Sequence, residues 1–375
     1  MRAKKASPFG YPKSKHFALL AHAPTQAYFV GETAFELARL IDLGWVPRSR
    51  PVEIVLNGVN IGVYAFSESV RIDEGRVEID EQPENNTDNA TIPYGWLVEI
   101  DNTIDTPQIY VPQTLDNDPD AFVSRFTIKT PEIISSQQEE WITDQMTTLT
   151  HMILNPDKDN AAWTQMIDIE SLAKYYIVQE LSGNYDAFVG STYFYKGNGD
   201  KWIFGPMWDS EWAFVTDDRN AHYWDERISL GGDEYVNFTW IKELIKFPVF
   251  QNEVRKVWND FYPDRFNDIY AFIDDFYACT KDGYDMNNKI WPDYISNDIH
   301  VTYEQLKSRL PKYVRWFDRM VKSPDFSGIG DVHVDADCES TWFTIQGQSL
   351  DSPPSVPGFY IERTSTGSRK VFVQP

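Results

Sequence analysis

The chain has 375 residues, of which 42% are hydrophobic and 15% aromatic, and its formal net charge is -23. The length suits roughly two domains or one large two-lobed domain, and the apolar share supports a packed core, which excludes global disorder. A surface this acidic repels nucleic acid and anionic lipid, which removes both as partners, while a nucleotide stays admissible wherever a cation is bound locally.

The opening MRAKKASPFGYPKSKH has no apolar h-region of a signal peptide. Its abrupt polar, turn-rich start carries the expectation that the native protein extends upstream of Met1. A short apolar run, FALLAH at 17–22, comes next. In GETAFELARLIDLG, residues Ala34, Leu37, Ala38 and Ile41 recur at helical spacing, with Gly44 placed for a C-cap. PVEIVLNGVNIGVYAFSES then puts two β-rich runs around Asn57-Gly58, a strong type I′ hairpin signal. Val52, Ile54 and Leu56 share one face, Ile61, Val63 and Ala65 follow on the second strand, and Glu68 lies just past its end. RVEID at 76–80, GWLVEID at 95–101 and FVSRFTIKTPE at 122–132 read as further strands, the last stopped by Pro131. Residues 81–91 and 111–120 read as polar loops.

The texture then changes. Ile142, Met146, Leu149 and Ile153 mark one face of a helix over 136–154. Ile169, Leu172, Ala173, Tyr176 and Ile177 mark another over 168–181, with Asp168 as N-cap and Gly183 as stop. Residues 236–321 read as several helices bounded or kinked by Pro248, Pro263 and Pro311. The pattern is α+β: a sheet-rich lobe over 1–132, expected to be truncated upstream, a mostly helical lobe over 133–328, and a β-like extension over 329–375. No apolar run approaches transmembrane length.

Between the helices lies NYDAFVGSTYFYKGNGDKWIFGPMWDSEWAF, residues 184–214. Its spacing predicts a polar loop with Asp186, a strand, an Asn-Gly turn, and a returning strand over Lys201–Met207 that delivers Trp208 and Asp209 at its far end. Loop and strand end then meet. A loop carboxylate beside a strand-end carboxylate suits metal-dependent phosphoryl transfer, one orienting the nucleophile and the other holding a cation on the phosphates. Asp186 serves equally well as a loop cap. Asp209 and Glu211 lie two apart on one strand face, where like charges repel unless a cation sits between them. Trp208 and Trp212 read as packing residues, and Glu68 by itself reads as a solvated strand end. Neither a P-loop nor GxGxxG is present; GNGDKW at 197–202 reads as a turn. Cys279 and Cys338 make no disulfide scaffold, and the 6 His show no metal-ligand spacing.

FELARLIDLGWVPRSRPVEIVLNGVNIGVYAFSESV, GWLVEID, FTIKTPE, ELSGNYDAFVGSTYFYK and FGPMWDSEWAF occur in that order over roughly residues 4–215. Together they resemble the CotH-like proteins, atypical kinase-like proteins related to spore coat protein H. The resemblance implies a protein-kinase-like two-lobed fold with ATP and Mg²⁺ or Mn²⁺ between the lobes, and transfer of a phosphoryl group to a Ser, Thr or Tyr hydroxyl of a protein. It makes Asp186 the catalytic base or orienter and Asp209 the metal ligand, with Glu211 assisting. Asn184 becomes a second ligand or a loop-former, and Glu68 and Lys129 become nucleotide-site residues. It also implies a location at the cell surface or outside the cell.

This chain departs from the family at three places. Asp209-Ser210-Glu211 stands where Asp-Phe-Asp is usual. Thr25 and Val30 stand where the family carries Asp and Arg. The phosphate-facing lysine strand would lie before Met1. These departures keep a second reading open, a catalytically impaired pseudokinase or scaffold. The aromatic content leaves a third, a surface module binding glycans or a host protein.

Overall fold

The computed structural model describes residues 4–21, 27–116, 121–184, 186–199, 201–214, 239–292, 298–324, 326, 341–344, 348–350, 352, 354–364 and 367–373. The chain divides into two compact units, 1–328 and 329–375. Seven α-helices and three antiparallel sheets occur among the described residues, so the architecture is mixed α and β.

The first sheet contains β1 (Phe17–Ala21), β2 (Ser49–Leu56) and β3 (Val59–Glu68) in the order β1-β3-β2. Asn57 (φ 51°) and Gly58 (φ 82°) form the expected two-residue turn, with Leu56 opposite Val59. A bulge between Glu53 and Val55 shifts the register, and Val55 and Leu56 end up exposed at the hairpin tip. Val63 and Ala65 face inward. Helix α1 (Ala27–Leu40) follows β1 in the chain and ends earlier than the glycine suggests. Asp42, at φ 58°, takes the left-handed position. The Leu43 N–H reaches back to the Ala38 carbonyl (3.0 Å) and the Asp42 N–H to that of Arg39 (3.1 Å), a Schellman ending placed two residues before Gly44. RVEID is not a strand; it contributes one isolated bridge, Val77 to Ile72. Arg76 anchors this segment through its side chain instead, donating to the carbonyls of Ser69 and His16 at 2.8 Å each.

The second sheet holds β4 (Trp96–Asp101), β5 (Gln108–Pro112), β6 (Val123–Thr130), β7 (Thr192–Lys196) and β8 (Ile203–Phe204), in the order β5-β6-β4-β7-β8. Its central strand β4 buries Trp96, Leu97, Val98 and Ile100, the near-continuous apolar run of a strand covered on both faces. β5 begins before the loop expected at 111–120 and takes its first two residues. The expected returning strand Lys201–Met207 shrinks to two residues. Gly205 still donates its N–H to the Tyr193 carbonyl (2.9 Å), but it sits at φ 118°, and Pro206 has no N–H to continue the ladder. Strands β7 and β8 complete a sheet begun by residues 96–130, so this sheet crosses residue 132, where the sequence pattern divides two lobes.

Helix α2 (Ser136–Leu154) opens with a full capping box of Ser135 and Gln138. Helix α3 (Ile169–Ser182) starts at the Asp168 N-cap and stops at Gly183 in the left-handed conformation (φ 58°). Then come α4 (Thr239–Leu244), α5 (Pro248–Phe261), α6 (Asp268–Ile290) and α7 (Ile299–Lys322). Pro248 occupies the first turn of α5, as expected, whereas Pro311 lies inside α7 and does not end it. Helix α6 holds the first sheet. Asn287 Oδ1 accepts the Val63 N–H (3.1 Å) and the Trp291 indole N–H reaches the Ile61 carbonyl (3.0 Å). No helix among the described residues is long and apolar enough to cross a membrane.

The unit 329–375 contributes its own antiparallel sheet: β9 (Thr341–Thr344), β10 (Ser349–Leu350), β11 (Gly358–Thr364) and β12 (Gly367–Val373), ordered β10-β9-β11-β12.

Candidate functional site

The site grows from the C-terminal end of α3. Gly183 lets the chain reverse, and the Asn184 N–H caps the helix by bonding to the Gln179 carbonyl (3.3 Å). The Asn184 side-chain amide donates to Gln179 Oε1 (3.0 Å). Its Oδ1, in a residue 2% exposed, has no hydrogen-bond partner among the described residues. An unpaired buried carbonyl oxygen is costly and calls for an explanation such as an ion. The loop is then closed by the Asp186 carbonyl, which accepts the N–H groups of Val189 (3.0 Å) and Gly190 (2.8 Å).

Asp209 follows β8 with φ 49°, a left-handed conformation that Asp tolerates better than most residues. Its carboxylate accepts the Ser191 hydroxyl at 3.3 Å. Asp209 is open to solvent, yet crowding by neighbouring protein atoms raises its pKa; the Ser191 bond offsets part of this and Asp101 adds to it. Glu211 is half-buried and also raised, by burial first and then by the charges of Asp209 and Asp186. Two of the acidic residues picked out in the sequence, Asp209 and Asp186, are thus brought within electrostatic reach of the third, Glu211. The Phe214 N–H, bonded to the Ser182 carbonyl (2.6 Å), ties this segment back to α3.

Asp209, Ser210 and Glu211 form one wall of a cleft of about 230 Å³. The rest of the lining comes from α1 and the first sheet, with Leu19, Phe35 and Ala65 as apolar lining and Glu32, Ser49 and Ser67 as polar lining. Trp208 also lines the cleft instead of serving purely as packing. Ser210 is buried, and its Oγ has no hydrogen-bond partner among the described residues.

Glu68 and Lys129 lie outside this lining. Glu68 is fully buried; it accepts the Arg48 N–H (2.9 Å) and guanidinium (3.1 Å), and Arg76 Nε lies 3.8 Å away. Its carboxylate therefore joins two arginines to the end of β3, and the neighbouring Ser67 is the residue that reaches the cleft. Lys129 on β6 pairs with Glu99 Oε2 (3.2 Å) and Asp105 Oδ2 (3.5 Å). Burial alone would lower its pKa, but Glu99 and then Asp105 outweigh that and raise it. Glu99 also hydrogen-bonds Tyr193, whose hydroxyl burial raises strongly and which lies within reach of Asp101 and Asp209. Thr25 lies outside the described residues; Val30 is buried in the main core.

Glu32, Glu99, Asp101 and Ser191 are the residues that motif reading passes over. The alternation Glu99, Ile100, Asp101 in β4 signals two acids on one strand face. Nothing in sequence spacing places Glu32 in the same cleft as Asp209.

The donor set can be tested against a divalent cation. Carboxylate oxygens of Asp209 and Glu211 and the unpartnered Asn184 Oδ1 are hard oxygen donors of the kind Mg²⁺ and Mn²⁺ take. Among the described residues no three His, Cys, Asp or Glu side chains are grouped to hold a metal by themselves. Mg²⁺ in phosphoryl-transfer sites uses one or two carboxylates and fills its shell with water and phosphate oxygens. The residues therefore fit a cation that arrives with a phosphate better than a resident one.

Comparison with curated proteins finds no match to the chain. The family model described as CotH kinase protein matches residues 2–317, and the chain belongs to the CotH kinase family.

Proposed function

We propose that this protein binds a nucleoside triphosphate with Mg²⁺ or Mn²⁺ in the cleft beside Asp209 and transfers the terminal phosphoryl group to a hydroxyl of a protein. The observation that carries the reading is the placement of Asp209 and Glu211 in a cleft wall with Asp186 close enough to raise Glu211. Asp209, with Glu211 and Asn184 Oδ1, would hold the cation. When bound, the cation supplies charge neutralisation across the phosphates. Asp186, on the loop next to this wall, orients the acceptor hydroxyl and accepts its proton. The reading takes the first sheet with α1 as one lobe and α3 with the later helices as the other, a kinase-like arrangement. Family membership is consistent with a spore-coat or cell-surface location.

A second reading, a binding pseudokinase, is favoured by one observation. Among the described lining residues of the cleft there is no Lys or Arg, and Val30 is a core residue. Phosphoryl transfer needs cationic stabilisation beyond the metal. Isothermal titration with ATP and Mn²⁺, followed by transfer of labelled phosphate to a generic protein acceptor, separates the two. Binding with transfer supports the kinase, binding without transfer supports the pseudokinase, and absence of binding removes both.

A further inference from the structure

The cleft lining carries acidic groups from two separate elements. One set is Asp209 with Glu211. The other is Glu32, on α1, only 5% exposed. The charges acting on Glu32 are Arg39, 3.9 Å away, and Glu36. Asp101 acts on Asp209, and Asp209 and Asp186 act on Glu211. Leu19, Phe35, Ala65 and Trp208 add apolar lining that includes two aromatic rings. A ligand complementary to this lining carries a cation-binding group and a flat apolar body with a polar edge. At about 230 Å³ the space is smaller than the ~300–1,000 Å³ usual for small-molecule pockets, so the charged end of such a ligand would project outward.

We propose that Glu32 is the specificity residue of this cleft and reads the base edge of a purine nucleotide. The inference rests on the nucleotide reading above and deepens it. A buried carboxyl group that lines a cleft is a two-state reader. Neutral, it offers one O–H donor beside one acceptor oxygen; ionised, it only accepts. Adenine presents an amino donor beside a ring-nitrogen acceptor, which complements the neutral form. Guanine presents a ring N–H beside an amino group, two donors in a row, which complement the ionised form.

The surroundings put both forms within the physiological range. Burial pushes the Glu32 carboxyl up to about 7; Arg39 and the Ser49 hydroxyl bond pull it back in part, and Glu36 adds to the rise. The groups facing it are Arg39 and Glu36 on its own helix, Ser49 on β2, Tyr11 in the N-terminal segment and Tyr284 on α6. Burial holds both tyrosines above their ordinary range, and they stay neutral here. Among these facing groups, Glu32 is the one that changes charge between slightly acid and slightly alkaline solution.

The test is isothermal titration of Mn²⁺-ATP and Mn²⁺-GTP into the parent protein, Glu32→Gln and Asp209→Ala, at about pH 6 and about pH 8. The two nucleotides share one triphosphate, so titration of phosphate, Asp209 or Glu211 cancels in the ratio of their affinities. In the parent, the preference for ATP should fall by about tenfold or more between the two conditions, the scale of one paired base contact. In Glu32→Gln, which keeps a donor beside an acceptor at every pH, the preference for ATP should persist unchanged. Binding of both nucleotides, lost in Asp209→Ala, with a parent ratio that does not move with pH, leaves the nucleotide reading standing and overturns the role of Glu32. Binding of neither nucleotide overturns the nucleotide reading and this proposal together.

Discussion

Ser191 donates its hydroxyl to Asp209 across 3.3 Å, joining the residue before the outgoing strand β7 to the end of the path that leaves β8. The bond holds an acidic side chain at the mouth of the cleft, in a backbone conformation few residues accept (φ 49°). Apart from the Ser191 bond, a carboxylate crowded by protein atoms and by Asp101 is disfavoured by its neighbours in the absence of a cation.

Asp209→Ala should therefore abolish metal-dependent nucleotide binding while changing unfolding free energy by no more than about 1 kcal/mol, as for a surface position with no stabilising partner beyond one hydrogen bond. Titration calorimetry and urea unfolding check the two halves. Retained Mn²⁺-ATP affinity in the mutant would remove Asp209 from the metal site.

Asp186→Asn should leave nucleotide affinity unchanged and remove phosphoryl transfer, because its role falls on the acceptor hydroxyl and not on the phosphates. Its carbonyl, which closes the loop with Val189 and Gly190, is untouched by the substitution. Equal transfer rates in mutant and parent would leave Asp186 with a loop-forming role alone.

Glu32 gives the fold a pH dependence of defined sign. Its folded pKa, about 7, lies above the ordinary 4.5, so between those values the native state binds more protons than the unfolded state. Stability should fall as pH rises from about 4.5 through about 7 and level off above, with a total loss on the order of 3 kcal/mol from this group. Glu32→Gln should flatten that slope and be the more stable protein at about pH 8. Urea midpoints measured across the range decide it; parallel curves for mutant and parent would show that the Glu32 carboxyl is not held neutral.

Gly62 sits at φ 103°, and a Cβ built there would lie 2.2 Å from Asn287 Oδ1 and 2.9 Å from the Trp291 indole nitrogen. Those two side chains are the ones that bind β3 to α6. Gly62→Ala should cost about 2–4 kcal/mol, combining backbone strain with loss of two hydrogen bonds. Asn287→Ala, which removes the side chain nearest that Cβ, should cost less on the Gly62→Ala background than on the parent. Additive losses would show that the clash is relieved elsewhere.

The elements most legible in the sequence are those that local chemistry determines. Asn57-Gly58 can only turn one way, and the Ser135/Gln138 box and the Asp168 and Gly183 caps mark helix ends through bonds to their own backbone. Asp186, Asp209 and Glu211 were legible because loop and strand end are consecutive in the chain. Glu32 was not, since its place in the same cleft as Asp209 depends on how α1 packs against the segment after β8, and no short-range pattern encodes that. Glu68 and Lys129 show the reverse. Their partners Arg48, Arg76 and Glu99 are distant in sequence or across a sheet, and only the folded register reveals that each is already paired. The left-handed cap fell to Asp42 and not Gly44 because hydrogen-bond geometry at the helix end, not residue type alone, sets the reversal.

The sheet that crosses residue 132 also dictates an order of assembly. Strand β4 takes one neighbour, β6, soon after it is synthesised, but its other neighbour pairs Trp96 with Lys196 and Ile100 with Thr192. Until the ribosome has delivered α2, α3 and β7, this buried central strand has one bare flank. Such an edge invites pairing with any other extended chain. Closing it demands a contact between segments far apart in sequence, the kind that slows folding. A fragment cut between β6 and α2 would carry that flank permanently, so the natural unit for expression or domain exchange includes β7 and β8.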